Sequence, residues 1–169
     1  MTPGVRKLAL TTHIASSVGW LGAVAGFLGL ALVGLRSDDP DTVRAAYIAM
    51  DATSWFALVP FALATLITGI VESFSTKWGL FRHYWVVIKL SITLVATVVL
   101  VLYTETLELL ADRATTGSGA PVGLPSSSPV LHSAAALVLL LAATGLAVYK
   151  PRGVTRYGWR KSLEERPRS

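Results

Sequence analysis

Leu8-Ala-Leu-Thr-Thr-His-Ile-Ala-Ser-Ser-Val-Gly-Trp-Leu-Gly-Ala-Val-Ala-Gly-Phe-Leu-Gly-Leu-Ala-Leu-Val-Gly-Leu35 runs without a charged side chain. A hydrocarbon core is crossed by about 20 such residues at helical rise, so this stretch alone can span a bilayer. Arg6 and Lys7 precede it, and Ala23-Val24-Ala25 imitates the small-residue cleavage site of a secretory signal. The apolar character nevertheless continues through Phe27, Leu28, Leu30, Leu32 and Leu35, beyond that site. This is the pattern of a retained helix.

Similar runs recur over Ala52–Val71, Tyr84–Tyr103 and Val130–Tyr149. Backbone amides in lipid must be satisfied within their own segment, and these runs are too long and too uniformly apolar for barrel strands. The expectation is an all-α polytopic membrane protein, a bundle of four transmembrane helices over residues 1–150, followed by a basic cytoplasmic tail over 151–169. Composition agrees: 53% of the 169 residues are hydrophobic and only 15% are charged, outside the soluble norm. Cysteine is absent, which excludes disulfides, thiolate metal sites and cysteine nucleophiles. The net charge of +5 comes from residues beside the apolar runs rather than from an aromatic-interleaved patch, so nucleic acid is not the expected partner. The lipid bilayer is.

Lys and Arg set the expected direction. Arg6, Lys7, Lys77, Arg82, Lys150, Arg152, Arg156, Arg160, Lys161, Arg166 and Arg168 fall on one side, and Arg36, Arg44 and Arg113 on the other. Both termini are therefore expected in the cytoplasm, with the chain in the cytoplasmic (inner) membrane. Trp55, Trp78, Tyr84, Trp85, Tyr103 and Tyr149 lie near span ends, where amphipathic rings favour the headgroup region. The outer connection begins as a helical extension over Glu105–Ala114 and then turns Gly-, Ser-, Thr- and Pro-rich. The tail reads either as solvated chain or as a segment lying on anionic lipid.

Within the spans, Gly19, Gly22, Gly26 and Gly29 share one face of the first helix, implying close packing inside the monomer or a homo-oligomer seam. His13, Ser17, Trp20, Val24, Phe27 and Ala31 form the opposite face. Pro60 is expected to bend the second span. Ser54, Phe61, Thr65, Thr68 and Glu72 form a mildly polar stripe on it. Glu72 reaches either interface water or a buried partner, Lys89 or His13; Lys89 either snorkels or meets an anion. His13 reads as a helix-to-helix hydrogen bonder or as a ligand. His83 shares its side of the membrane, while His132 begins the fourth span some 20 Å away at helical rise, so one compact three-histidine metal site is excluded. No phosphate-cradling loop, zinc-ligand spacing or nucleophile elbow is present.

The segment His13-Ile-Ala-Ser-Ser-Val-Gly-Trp-Leu-Gly22 resembles the first-helix signature of several bacterial four-helix membrane families. Its spacing of His13 to Trp20 is similar to that in HemJ-type protoporphyrinogen oxidases and CopD-like copper-resistance membrane domains, and Lys89 is placed like the third-helix lysine of the HemJ type. The segment from Thr76 to Lys89 resembles one found in small actinobacterial and bacillar integral membrane proteins, which brings no assigned activity with it. The resemblance covers the first helix and the junction of the second with the third. It implies a b-type haem ligated by His13, with Lys89 required nearby; the leading reading adds His83 or another group as second axial ligand. Copper is disfavoured: Met1 and Met50 are the only methionines, whereas soft copper sites favour thiolates and thioethers. Beside the haem reading stand a small transporter, with Glu72, Lys89, Thr65 and Thr68 along a path, and a noncatalytic accessory membrane subunit. The direction of insertion is tested by reporter fusion: a reporter after Ser169 is expected to be active in the cytoplasm and one inserted near Gly119 outside, and a cytoplasmic signal at Gly119 would reverse the assignment.

Overall fold

A computed structural model describes residues 2–75, 81–116, 125–151 and 153–164. Lys77, Trp78, Gly119, Arg152, Arg166 and Arg168, used above, lie outside the described residues. The elements are α1 (Pro3–Arg36), α2 (Pro40–Thr53), a π-helical turn (Ser54–Leu58), α3 (Val59–Ser75), α4 (Tyr84–Thr116), α5 (Ser128–Tyr149) and α6 (Arg156–Glu164). Four helical bodies are long and apolar enough to cross a membrane: Pro3–Arg36, Pro40–Phe74, Tyr84–Thr116 and Ser128–Tyr149. The chain is thus an all-α bundle with the architecture of a multi-pass membrane protein. Neighbours in sequence are neighbours in space, and α5 returns to α1, closing an up-and-down ring; α1 and α4 stay on opposite diagonals.

Helix ends follow from local chemistry. Thr2 caps α1, with Pro3 supplying a first-turn position that needs no amide donor. At α2, Asp39 Oδ2 accepts from the Thr42 amide at 3.1 Å and the Thr42 hydroxyl at 2.5 Å. Those bonds hold the Asp39 carboxyl below its usual range. Only Ser37, Asp38 and Asp39 separate α1 from α2, and Asp41 and Asp51 lie on α2. The bend expected at Pro60 has a specific form. Pro60 cannot donate to the carbonyl four residues back, and the turn before it widens so that the Val59 amide reaches Ser54 O, five residues away.

Length separates the membrane part from the rest. The 22 residues of α5 make about 33 Å of helix, matching a hydrocarbon core of about 30 Å. The 34 residues of α1 and 33 of α4 overrun it by several turns. The Arg36 end of α1 and the Thr116 end of α4 pack with α2 around Tyr47, Met50, Leu107, Leu110 and Ala114, and α4 includes the helical extension expected over Glu105–Ala114. Arg44 Nε donates to Ala114 O at 2.9 Å, a cation placed at the carbonyl end of α4. Tyr47 is 1% exposed and its hydroxyl accepts the Ser126 amide at 2.8 Å, tying the approach to α5 onto α2.

The buried face of α1 is His13, Ser16, Trp20, Val24, Phe27, Ala31 and Gly34, a repeat close to one residue in every three or four. Ser16 rather than Ser17 belongs to it, and its hydroxyl donates to His13 O at 3.1 Å. The glycine face divides. A Cβ on Gly19 would sit 2.7 Å from the Phe61 ring, so Gly19 is where α3 leans on α1. At Gly22, Gly26 and Gly29 a Cβ would meet nothing within 4 Å; they face away from the bundle. Gly19→Leu is therefore expected to overpack the α1–α3 contact by about 1–3 kcal/mol, whereas Gly22→Leu and Gly26→Leu leave the monomer's thermal stability in detergent unchanged. Equal losses at all three positions would contradict this division.

Candidate functional site

The aliphatic core begins at Trp20 and runs toward the end of the bundle formed with α2; the other end holds polar side chains around a cavity. Its volume is about 460 Å³, and its walls come from α1, α3, α4 and α5. Leu10, Ile14, Leu66, Val86 and Leu90 make it apolar, while Arg6, Lys7, Lys89 and Lys150 contribute cations and Glu72 the single carboxylate. The cavity also proves that the start of α1, the end of α3, the start of α4 and the end of α5 share one end of the bundle.

His13 is the centre of this arrangement. Its Nδ1 lies 2.9 Å from Thr68 Oγ1. The Thr68 hydroxyl donates to Ala64 O at 2.6 Å in its own helix, so its oxygen is left to accept, and His13 Nδ1 carries the proton. The other ring nitrogen, Nε2, lies 3.2 Å from Lys89 Nζ. An imidazolium and an ammonium at that distance would repel; the arrangement without like charges has Lys89 donating to a bare Nε2. One imidazole thereby links α1, α3 and α4, and both it and Lys89 line the cavity. Gly69 makes room for the ring: a Cβ there would approach His13 Cε1 to 3.2 Å.

Most hydroxyls of these helices bond their own backbone, as Thr93 does to Lys89 O at 3.0 Å and Thr97 to Thr93 O at 2.8 Å. Two oxygens in the cavity do not. Thr65 Oγ1 and Glu72 Oε1 are buried with no hydrogen-bond partner among the described residues. Unpaired buried oxygens of this kind mark a place for a polar atom from a ligand or water.

Of the sequence candidates, His13 and Lys89 are brought together. His83 lies outside the cavity lining, in a turn where it pairs with Val154 in a short antiparallel bridge. His132 belongs to a second, apolar cavity of about 130 Å³, nearer the α2 end of the bundle and lined also by Trp20, Val24, Phe27 and Tyr103. There its ring stacks on Tyr103 at 4.1 Å between centroids, and Nδ1–H donates to Ser128 O at 2.9 Å. Among the described residues no three His, Cys, Asp or Glu side chains form a metal-holding group.

Sequence reasoning placed Arg6, Lys7 and Lys150 only as topology signals and passed over Gly69. The signal available for Gly69 was a glycine following Thr68 deep in an apolar run. Lys150 is further marked by its backbone, which is left-handed at φ 44°, with its amide donating to Leu146 O at the end of α5. Glycine or asparagine normally holds that position.

Comparison with family models, curated proteins and solved structures finds no match to this chain, so the site is read from its own chemistry. Lys150→Gly separates backbone from charge: it is expected to raise stability by about 1 kcal/mol through relief of the left-handed backbone while removing a cation from the cavity. A lower melting temperature in the variant would show that the Lys150 side chain outweighs its backbone strain.

Proposed function

We propose that this chain is a multi-pass protein of the bacterial inner membrane that binds b-type haem in the cavity at its positively charged, cytoplasmic end, with His13 as axial ligand. The observation that carries the reading is the His13 ring itself, which lines the cavity with its Nδ1 2.9 Å from Thr68 Oγ1 and its Nε2 3.2 Å from Lys89 Nζ. Ligating histidines characteristically have the second nitrogen fixed in this way, which sets the tautomer and raises basicity. The volume lies within the range of about 300–1,000 Å³ common for cofactor pockets. Apolar walls suit a flat macrocycle, and Arg6, Lys7 and Lys150 suit its carboxylates.

Such a group would supply one-electron redox chemistry. The chain's own part is to hold and expose a nitrogen lone pair. Lys89, on a flexible stem 3.2 Å from Nε2, would hold a carboxylate of the bound group with its ammonium. Thr68 keeps the imidazole in one tautomer throughout. His83 as second axial ligand stays part of the proposal, although it does not line the cavity.

The unpaired Thr65 and Glu72 oxygens favour one competing reading, a transport path past Lys89. Against it, the two cavities share no lining residue, and Trp20, at the near end of the second one, is only 2% exposed.

The test is a visible spectrum of the purified protein expressed with ample haem, before and after reduction. A Soret band is expected; His13→Ala removes it, and His132→Ala leaves it intact. Thr68→Val weakens it because a buried N–H left unpaired costs about 1–3 kcal/mol, and Lys89→Ala weakens it without removing the ligand. His83→Ala shifts the band only if that residue ligates. A well-folded sample without Soret absorption would remove the haem reading and leave transport or an accessory role.

A further inference from the structure

The basic tail does not simply trail from α5. Residues 153–155 fold back on the segment before α4: the Thr155 amide donates to Arg82 O at 2.9 Å, the Tyr84 amide to Gly153 O at 3.4 Å, and the Thr155 hydroxyl to Phe81 O at 2.5 Å. Thr155 then caps α6, its hydroxyl oxygen accepting the Gly158 amide at 3.0 Å. Gly158 is buried, and a Cβ there would collide with the Arg82 carbonyl and come within 2.8 Å of Val154. The absence of a side chain is what lets α6 approach this closely. The strap thus fixes α6 at the ends of two spans, beside the first residue of α4 and a few residues past the end of α5.

With Gly158 turned inward, 3.6 residues per turn dictates the rest. Arg156 and Arg160 fall on the opposite face, and Tyr157 and Trp159 on the two flanks. Tyr157 is 51% and Trp159 60% exposed. Lys161 adds a further exposed cation, and the nearby Phe81, Tyr84 and Tyr149 are exposed aromatics at the same boundary. A short helix at span-end level, with cations on one face and aromatic rings beside them, has the chemistry of a helix lying in the interface of a charged bilayer.

We propose that α6 is a docking surface for anionic phospholipid headgroups, held at the membrane boundary by the strap of residues 153–155. Charge complementarity selects the occupant: each basic side chain near an anionic surface adds about 1 kcal/mol of attraction, and Tyr157 and Trp159 are exposed on the two flanks. The surface is separate from the haem cavity, whose lining includes no residue of α6.

Amide hydrogen exchange on the intact chain in nanodiscs tests this. Exchange across Arg156–Glu164 is expected to be several-fold slower in phosphatidylcholine discs doped with phosphatidylglycerol than in phosphatidylcholine alone, and high salt should erase the difference. The chain carrying Arg156→Gln, Arg160→Gln and Lys161→Gln, all exposed positions, should exchange equally in both. Equal rates for the unaltered chain would overturn the proposal and turn attention to a protein partner for the same face. A lipid-dependent difference that persists in the triple variant would overturn it as well, because the charges would not be its cause.

Discussion

A polar ring inside an apolar bundle has to find its hydrogen-bond partners within the protein, and the His13 imidazole finds them on two other helices. Thr68 on α3 and Lys89 on α4 take its two nitrogens, so three of the four spans meet at one side chain. The surroundings accommodate this meeting. Gly69 withholds a side chain that would press on the ring, Ser16 bonds the His13 carbonyl, and the Thr68 hydroxyl is oriented by Ala64. Remove the imidazole and a threonine oxygen and an ammonium are left facing each other in a low-dielectric interior. Burial of an unpaired charge is the more costly of the two consequences.

Stability and chemistry occupy different ends of the molecule. From Trp20 toward the α2 end, α1, α2 and α4 pack around Phe27, Tyr47, Met50 and Leu107. That packed half positions the helices, and the other half is free to keep a cavity with two unpaired oxygens and four cations. An apolar core on both sides would be more stable and would have no place for a polar ligand.

The spans were legible because lipid leaves little choice: an apolar run of sufficient length must be a helix, whatever its side chains do. The site was legible in part. His13, Lys89, Thr68 and Glu72 stand out as polar residues in apolar runs, and helical periodicity put Thr68 and Glu72 on one face. Which nitrogen of His13 meets which partner depends on α1, α3 and α4 packing together, which periodicity along one helix does not contain. For the same reason the glycine stripe was legible only in part, since spacing shows that Gly19 and Gly22 share a face but not that Phe61 covers only Gly19. The strap at residues 153–155 was invisible because its bonds all end on backbone carbonyls of another segment or of the strap itself, and almost any sequence offers those. Thr155, with its bonding hydroxyl, and Gly158, with no side chain, were its signatures.

The account turns on the protonation pattern of a single ring, which nitrogen-15 NMR of the histidine-labelled chain in nanodiscs reads directly, with His83→Gln and His132→Gln variants assigning the signals. The predicted result is a neutral His13 with the proton on Nδ1 and a bare Nε2, and a Nε2 resonance that shifts or broadens when haem is added. A proton on Nε2, or a His13 signal indifferent to haem, would contradict it.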